Sequence, residues 1–323
     1  MRGGAAVLLA TAFGLAACRR PPAQEPPRAD QPPKASLAAP VDEARRLLAA
    51  GDADGALARL QGAGTTAEAL CVQGAAWAKK AELAPLPTPP PASPGARGGP
   101  PPAPEFKPEE LTAAESFERV LESEPGSACA NAGLADLLAP HSLRLYAAAK
   151  ATGGGRRPQA PPAAGPGPDC RPERVLQAYR AAMQGDVNSR EPVDRLVDFA
   201  LRVGSLDDAD QALQEIIRRD REKPEPLIRY GDFLLSQRKN AVAAIEQYRQ
   251  ALIWRADDPE TKAKIADIYI SQAIESYGKN QYAVADARLR DAQKYVTDPV
   301  SPQGLKIRDY MGKLNAIRQP APR

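Results

Sequence analysis

Apolar positions recur along this chain in a helical stripe, one small residue, a large one four later and a small or β-branched one three after that. Ala209, Leu213 and Ile216, followed by Pro224, return as Ala244, Tyr248 and Ala251, followed by Pro259, each displaced by 35 residues. The same stripe appears in Ala113, Phe117 and Val120 before Pro125, in Val175, Tyr179 and Ala182, and in Ala285, Leu289 and Ala292. Spacings of three and four put these residues on one face of an α-helix, the face that packs. Near the start, Leu47, Leu48, Gly51, Asp52, Ala56 and Leu60 read as helix, turn, helix. A fixed period of this size is the mark of a stacked repeat, in which no unit can bury its apolar face alone.

The period and the stripe resemble the tetratricopeptide repeat, a helix pair of about 34 residues; Gly231, Ala244, Tyr248 and Ala251 match its small and aromatic positions. The resemblance implies an all-α, right-handed helix-pair solenoid over residues 37–317. Its six units span 37–64, 66–125, 128–188, 190–223, 225–258 and 260–298, and a final helix near 302–317 caps the stack. The chain departs from the pattern in three respects: most units lack the tryptophan, Leu213 stands for an aromatic, and the sixth unit is longer by about six residues.

Two low-complexity stretches, 84–108 and 152–172, cannot continue a helix, because proline lacks the N–H and clashes with the preceding turn. Each separates the first helix of a unit (67–83, with Gly74 and Trp77 at marked positions, and 128–139 or as far as 150) from its second. Both are therefore expected as disordered loops leaving one rim of the stack. His141, just after Pro140, is expected at the surface where the helix breaks.

The N-terminus carries an address. Arg2 precedes a small and aliphatic run from Ala5 to Ala17 that is too short to span a bilayer with margin. It ends in Leu15-Ala16-Ala17-Cys18, which resembles a bacterial lipobox. The resemblance implies that residues 1–17 are a leader and that Cys18 carries diacylglycerol and an acyl chain, two attachments being what stable anchoring needs. Arg19 in place of Asp points to the periplasmic face of the outer membrane. Residues 18–36 are a proline-rich tether reaching about 70 Å at about 3.1 Å per residue, and 318–323 form a tail.

Chemistry is sparse. The chain of 323 residues carries a net charge of +3 and a single histidine, so bulk charge offers nothing to a nucleic acid. No zinc spacing, phosphate-cradling loop or nucleophile elbow occurs; we expect no enzyme, no metal and no cofactor beyond the lipid on Cys18. Of the four cysteines, Cys18 is taken by lipid. Cys71 and Cys129 start first helices of adjoining units, where a bridge is geometrically open, although two small buried apolar residues is the simpler reading; Cys170 is the fourth.

One polar register remains. Arg195 and Asp198, Arg229 and Asp232, and Lys264 and Asp267 recur at steps of 34 and then 35 residues, with Asp136 at the equivalent place one unit earlier. In the resembling family this aspartate position lines the concave surface, which implies a protein-binding groove preferring basic groups or amide donors. The bland alternative pairs each base with its own aspartate one turn on, a contact contributing about 0.2–0.5 kcal/mol. The function expected is an envelope-anchored adaptor for protein partners; the other reading is a self-associating or spacer lipoprotein without a peptide ligand.

Overall fold

The computed structural model describes residues 38–84, 105–152 and 167–318. The leader, Cys18, the tether, most of both insertions and residues 319–323 lie outside that range.

The described residues form thirteen helices and no strand. They are α1 (Ala38–Ala49), α2 (Ala53–Leu60), α3 (Ala67–Leu83), α4 (Pro108–Ser123), α5 (Ala128–Thr152), α6 (Pro172–Gly185) and α7 (Glu191–Val203). The remainder are α8 (Leu206–Arg219), α9 (Pro224–Ser236), α10 (Ala241–Trp254), α11 (Pro259–Gly278), α12 (Tyr282–Gln293) and α13 (Pro302–Arg318). Consecutive helices pack in pairs, α1 with α2 through α11 with α12, and α13 closes the end against α11 and α12. The six pairs coincide with the six units of the repeat.

Local chemistry explains the punctuation. Proline occupies the first turn of α4, α6, α7, α9 and α11, where its missing N–H would be unpaired anyway. Asp52, Thr66, Asn240 and Asp258 cap α2, α3, α10 and α11 by accepting from a backbone N–H of the first turn. The turn inside each uninterrupted unit passes through the left-handed region, at Gly51, Gly204, Lys239 and Asn280. In the other two units the proline-rich insertions occupy that same turn.

The stripes face inward as the period demands. Phe117, Tyr179, Leu213, Tyr248 and Leu289 are all buried, as are Ala113, Ala182, Ala209, Ile216, Ala244, Ala251, Ala285 and Ala292. Two glycines make room for one ring. A Cβ on Gly74 of α3 would lie 2.7 Å from Phe117, and one on Gly133 of α5 would lie 2.3 Å from it. Phe117 thus wedges between the first helices of two successive units. Among the described residues, each unit packs on the next mainly through its second helix, at α2–α3, α4–α5, α6–α7, α8–α9 and α10–α11, and first helices also meet one another at α1–α3, α3–α5 and α5–α7, as the cap meets α11. The layer whose members come closest is the inner one of a curved stack. α11 is 20 residues long where α7 and α9 have 13. Its added turns carry Tyr277, which meets Tyr282 and Tyr310 edge-on at 5.6 and 5.5 Å between ring centroids and so seats the cap.

Three expectations are corrected. α5 does not break at Pro140: it runs on to Thr152, and His141 and Ser142 are buried. Packing of Leu143, Leu145 and Tyr146 on the core holds the helix through the proline that propensity would have used as a stop. The returning ends of both insertions, expected as loose loop, pack on the stack: Phe106 lies against the core and Cys170 is buried. Cys71 and Cys129 are bonded to each other, with their Cα atoms 6.1 Å apart; close packing of α3 on α5 brings the two thiols face to face.

Candidate functional site

The seven polar residues singled out by register all lie on the inner-layer helices α5, α7, α9 and α11, and the structure joins them into a ladder. Arg195 of α7 binds Asp136 of α5. Arg229 of α9 reaches Asp198 of α7 at 3.2 Å. Lys264 of α11 donates to both oxygens of Asp232 on α9, at 2.9 and 2.8 Å. Gln303 of the cap completes the series by donating to Asp267 at 3.1 Å. Each base reaches back one unit. Among the described residues no ion pair joins Arg195 to Asp198, Arg229 to Asp232 or Lys264 to Asp267, so pairing of each base with its own aspartate is overturned, although Arg195 and Lys264 do meet Glu191 and Glu260 one turn back on their own helices. Arg195 and Arg229 carry further carboxylates, Glu191 and Asp194 respectively.

The four aspartates are not equivalent. Asp136 accepts from the Tyr179 phenol at 2.9 Å and Asp232 from the Tyr248 phenol at 2.7 Å, each tyrosine coming from the second helix of the same unit. Burial pushes the Tyr179 phenol up to about 12, with the Asp198 charge adding to it. Burial and the bond to Asp232 raise Tyr248 further. These phenols stay protonated and donate. In the units of Asp198 and Asp267 the stripe position holds Leu213 and Leu289, which have no hydroxyl to offer. The Asp198 side chain is accordingly 66% exposed, against 34% for Asp136 and 49% for Asp232; Asp267 is exposed as well. The register found all four positions, but the phenols and Gln303 escaped it. Their signal was present in the alternation of tyrosine and leucine at one stripe position.

The two edges of the stack differ. On one, the returning ends of both insertions meet: the Phe106 ring lies 4.2 Å from that of His141, and a Cβ on Gly167 would sit 3.2 Å from Phe106. The Lys107 ammonium donates to the Ala81 and Ala84 carbonyls at 2.5 and 2.7 Å, closing the end of α3. His141 is itself held by Glu110 at 3.2 Å. The shared rim expected from the sequence is therefore present at these anchor residues. On the other edge an open cleft of about 550 Å³ is lined by Arg190, Arg218, Arg219, Lys223, Asp220, Val187 and Asn188. Its charges are satisfied internally. Arg190 and Lys223 hold Asp220, Arg218 and Arg219 hold Glu215, and Arg219 also donates to the carbonyls of Met183, Asp186 and Ser189.

Among the described residues no group of histidine, cysteine and carboxylate side chains is arranged to hold a metal ion. No helix among them is long and apolar enough to cross a membrane.

No family model and no curated protein matches the chain. Solved structures to which it is similar include a thermophilic tetratricopeptide-repeat protein of Thermus thermophilus, 16% identical, covering 72% of this chain and 98% of that one at a TM-score of 0.36. A tetratricopeptide-repeat protein from Parabacteroides merdae is 10% identical and covers 85% of this chain and 98% of its own, with a TM-score of 0.39. PilF of Pseudomonas aeruginosa is 18% identical, at 66% and 86% coverage and a TM-score of 0.30. The helix-pair repeat stands on this chain's own register and packing, and not on these loose superpositions.

Proposed function

We propose that the chain is an envelope-anchored scaffold lipoprotein that holds a segment of a protein partner along its inner layer. The observation that carries the binding reading is the pair Asp198 and Asp267. They sit in one register two units apart and are exposed, and each is held by a single contact, Asp198 from the next unit and Asp267 from the cap. A partner presenting Lys, Arg or amide groups at matching places satisfies both without disturbing the aspartates bound to tyrosine.

Anchoring is supported by the charged start, the small-residue run and Cys18. The Cys71–Cys129 bond adds to this, because such bridges persist in exported proteins and are reduced in the cytosol. The outer membrane is favoured by Arg19. A spacer that stacks copies end to end would have to bury Lys306, Arg308, Asp309 and Lys313 of α13, which are exposed there beside Leu305 and Ile317.

The binding test compares wild type with Asp198→Asn/Asp267→Asn in pull-downs from solubilised envelopes. Loss of a stoichiometric, salt-sensitive partner with melting unchanged is expected; undiminished capture places binding elsewhere. Anchoring is tested separately, by fractionation of Cys18→Ser with labelled palmitate. A Ser variant that remains fully membrane-bound, beside a wild type that takes no label, overturns the lipoprotein reading.

A further inference from the structure

The apolar interior is divided in two, and the division falls within a single helix. One cluster runs from Leu70 and Cys71 of α3 to Leu314 of α13. The other holds only Val41, Ala44, Ala56, Ala63, Ala69, Val72 and Ala76, five alanines and two valines, flanked by partly buried Leu47, Leu48, Leu57 and Leu60. The two share no buried side chain. α3 is the boundary, with Leu70 and Cys71 in one cluster and Ala69, Val72 and Ala76 in the other.

The small cluster is weak for identifiable reasons. An alanine buries one methyl group, so seven residues of this kind remove little apolar surface from water. α2 has 8 residues and α1 has 12, lengths at which a helix does not persist in water without its packing partner. The connecting turns pass through Gly51, Gly62 and Gly64 in the left-handed region, which leaves the chain there free once the helices loosen. Two ionic ties join the pair to α3, Arg45 to Glu68 at 2.5 Å and Lys80 to Asp54 at 2.6 Å. Their side chains are between 38% and 77% exposed, where water and salt reduce such contacts to little. α3 is held differently. Cys71 bonds it to α5, and Phe117 locks Gly74 from behind.

We propose that α1 and α2 open together as a local unit while α3 and all later helices stay folded, with the Cys71–Cys129 bond setting where opening stops. Repeat stacks lose terminal units in this way when one interface is weaker than the rest. Under the anchored reading this unit lies between the tether and the groove. Opening would then lengthen the tether by roughly 27 residues at about 3.4 Å each, about 90 Å, without touching Asp198 or Asp267. That consequence rests on the proposed anchoring, whereas the opening itself does not.

Hydrogen exchange read by mass spectrometry on the full, oxidised chain decides it without any variant. Amides of 41–60 are expected to exchange at least about tenfold faster than those of 193–203 and 265–273, with α3 protected like the latter. After replacement of both cysteines (Cys71→Ser/Cys129→Ser), or simple reduction, the fast zone should spread into α3. Exchange of 41–60 in step with α7 and α11 would overturn the proposal, as would α3 exchanging with α1 and α2 while the bond is intact. Because lipid and partner are absent from this measurement, its failure leaves the anchored-scaffold reading unaffected.

Discussion

Lys264 of α11 binds both oxygens of Asp232 in the preceding unit, and not Asp267 one turn along its own helix. The same aspartate accepts from the Tyr248 phenol, so it belongs to the packing of the stack as much as to its surface. Asp232→Asn and Tyr248→Phe are therefore expected to destabilise the protein by about 1 kcal/mol each, the ordinary worth of such a hydrogen bond. Their double variant should cost less than the sum, since the two share one contact. Asp198→Asn, at a position with Leu213 in place of a phenol, should stay within about 0.5 kcal/mol of wild type. Urea melts of the four variants check this, and equal losses at positions 198 and 232 would contradict the distinction drawn between them.

Gly133 and Gly74 leave space that Phe117 fills. A methyl at either place would meet the ring at 2.3 or 2.7 Å, and the ring is buried with no room to retreat. Gly133→Ala is expected to cost about 2–3 kcal/mol, the upper part of the overpacking range. Phe117→Leu should recover part of that loss in the double variant, although it is destabilising alone. Thermal unfolding followed by circular dichroism reads both effects, and strictly additive losses would show that the glycine does not act through Phe117.

Stability should depend on pH through Glu215. Hydrogen bonds from Arg218, and then Arg219, hold its carboxyl down at about 2, against an ordinary value of 4.5. A depressed carboxyl contributes stability that is complete above its unfolded pKa and is lost as pH falls through the folded value. The window is thus about pH 4.5 down to 2. The Glu215 side chain is 17% exposed, and allowing for solvent the contribution is on the order of 1–2 kcal/mol. Glu215→Gln should be less stable than wild type at pH 7 by that amount, and the gap should close near pH 2. A gap that stays constant over that range would remove Glu215 as the cause.

The Cys71–Cys129 bridge closes a loop with a sequence separation of 58 residues. Restricting an unfolded loop of that length stabilises the folded chain by about 4 kcal/mol in the chain-entropy account, and by less where strain intervenes. Reduction is expected to lower the melting temperature, with the N-terminal helices lost first. Under denaturing, non-reducing conditions only Cys170 should alkylate among these three thiols. Labelling of Cys71 and Cys129 in the exported protein would show that the bridge does not form.

The sequence by itself determined the number of helix pairs and the column of aspartates. Both follow from periodicity, and a helix repeats every 3.6 residues whatever surrounds it. It also placed both insertions at equivalent turns, because dense runs of proline and glycine cannot continue a helix as a lone proline can. What partners each charge was a different kind of question. Arg195 has Asp198 three residues ahead and Asp136 59 residues behind, and sequence distance favours the first. Only the packing of α7 against α5 brings Asp136 into reach. Cys71 and Cys129 were undecided for the same reason. His141 and Pro140 were misread because local propensity at a proline is weaker than the burial of Leu143, Leu145 and Tyr146 beyond it. Helix propensity and spacing act within a few residues of the chain. Ion pairing, ring packing and disulfide bonding act through space, so the tertiary structure decided them.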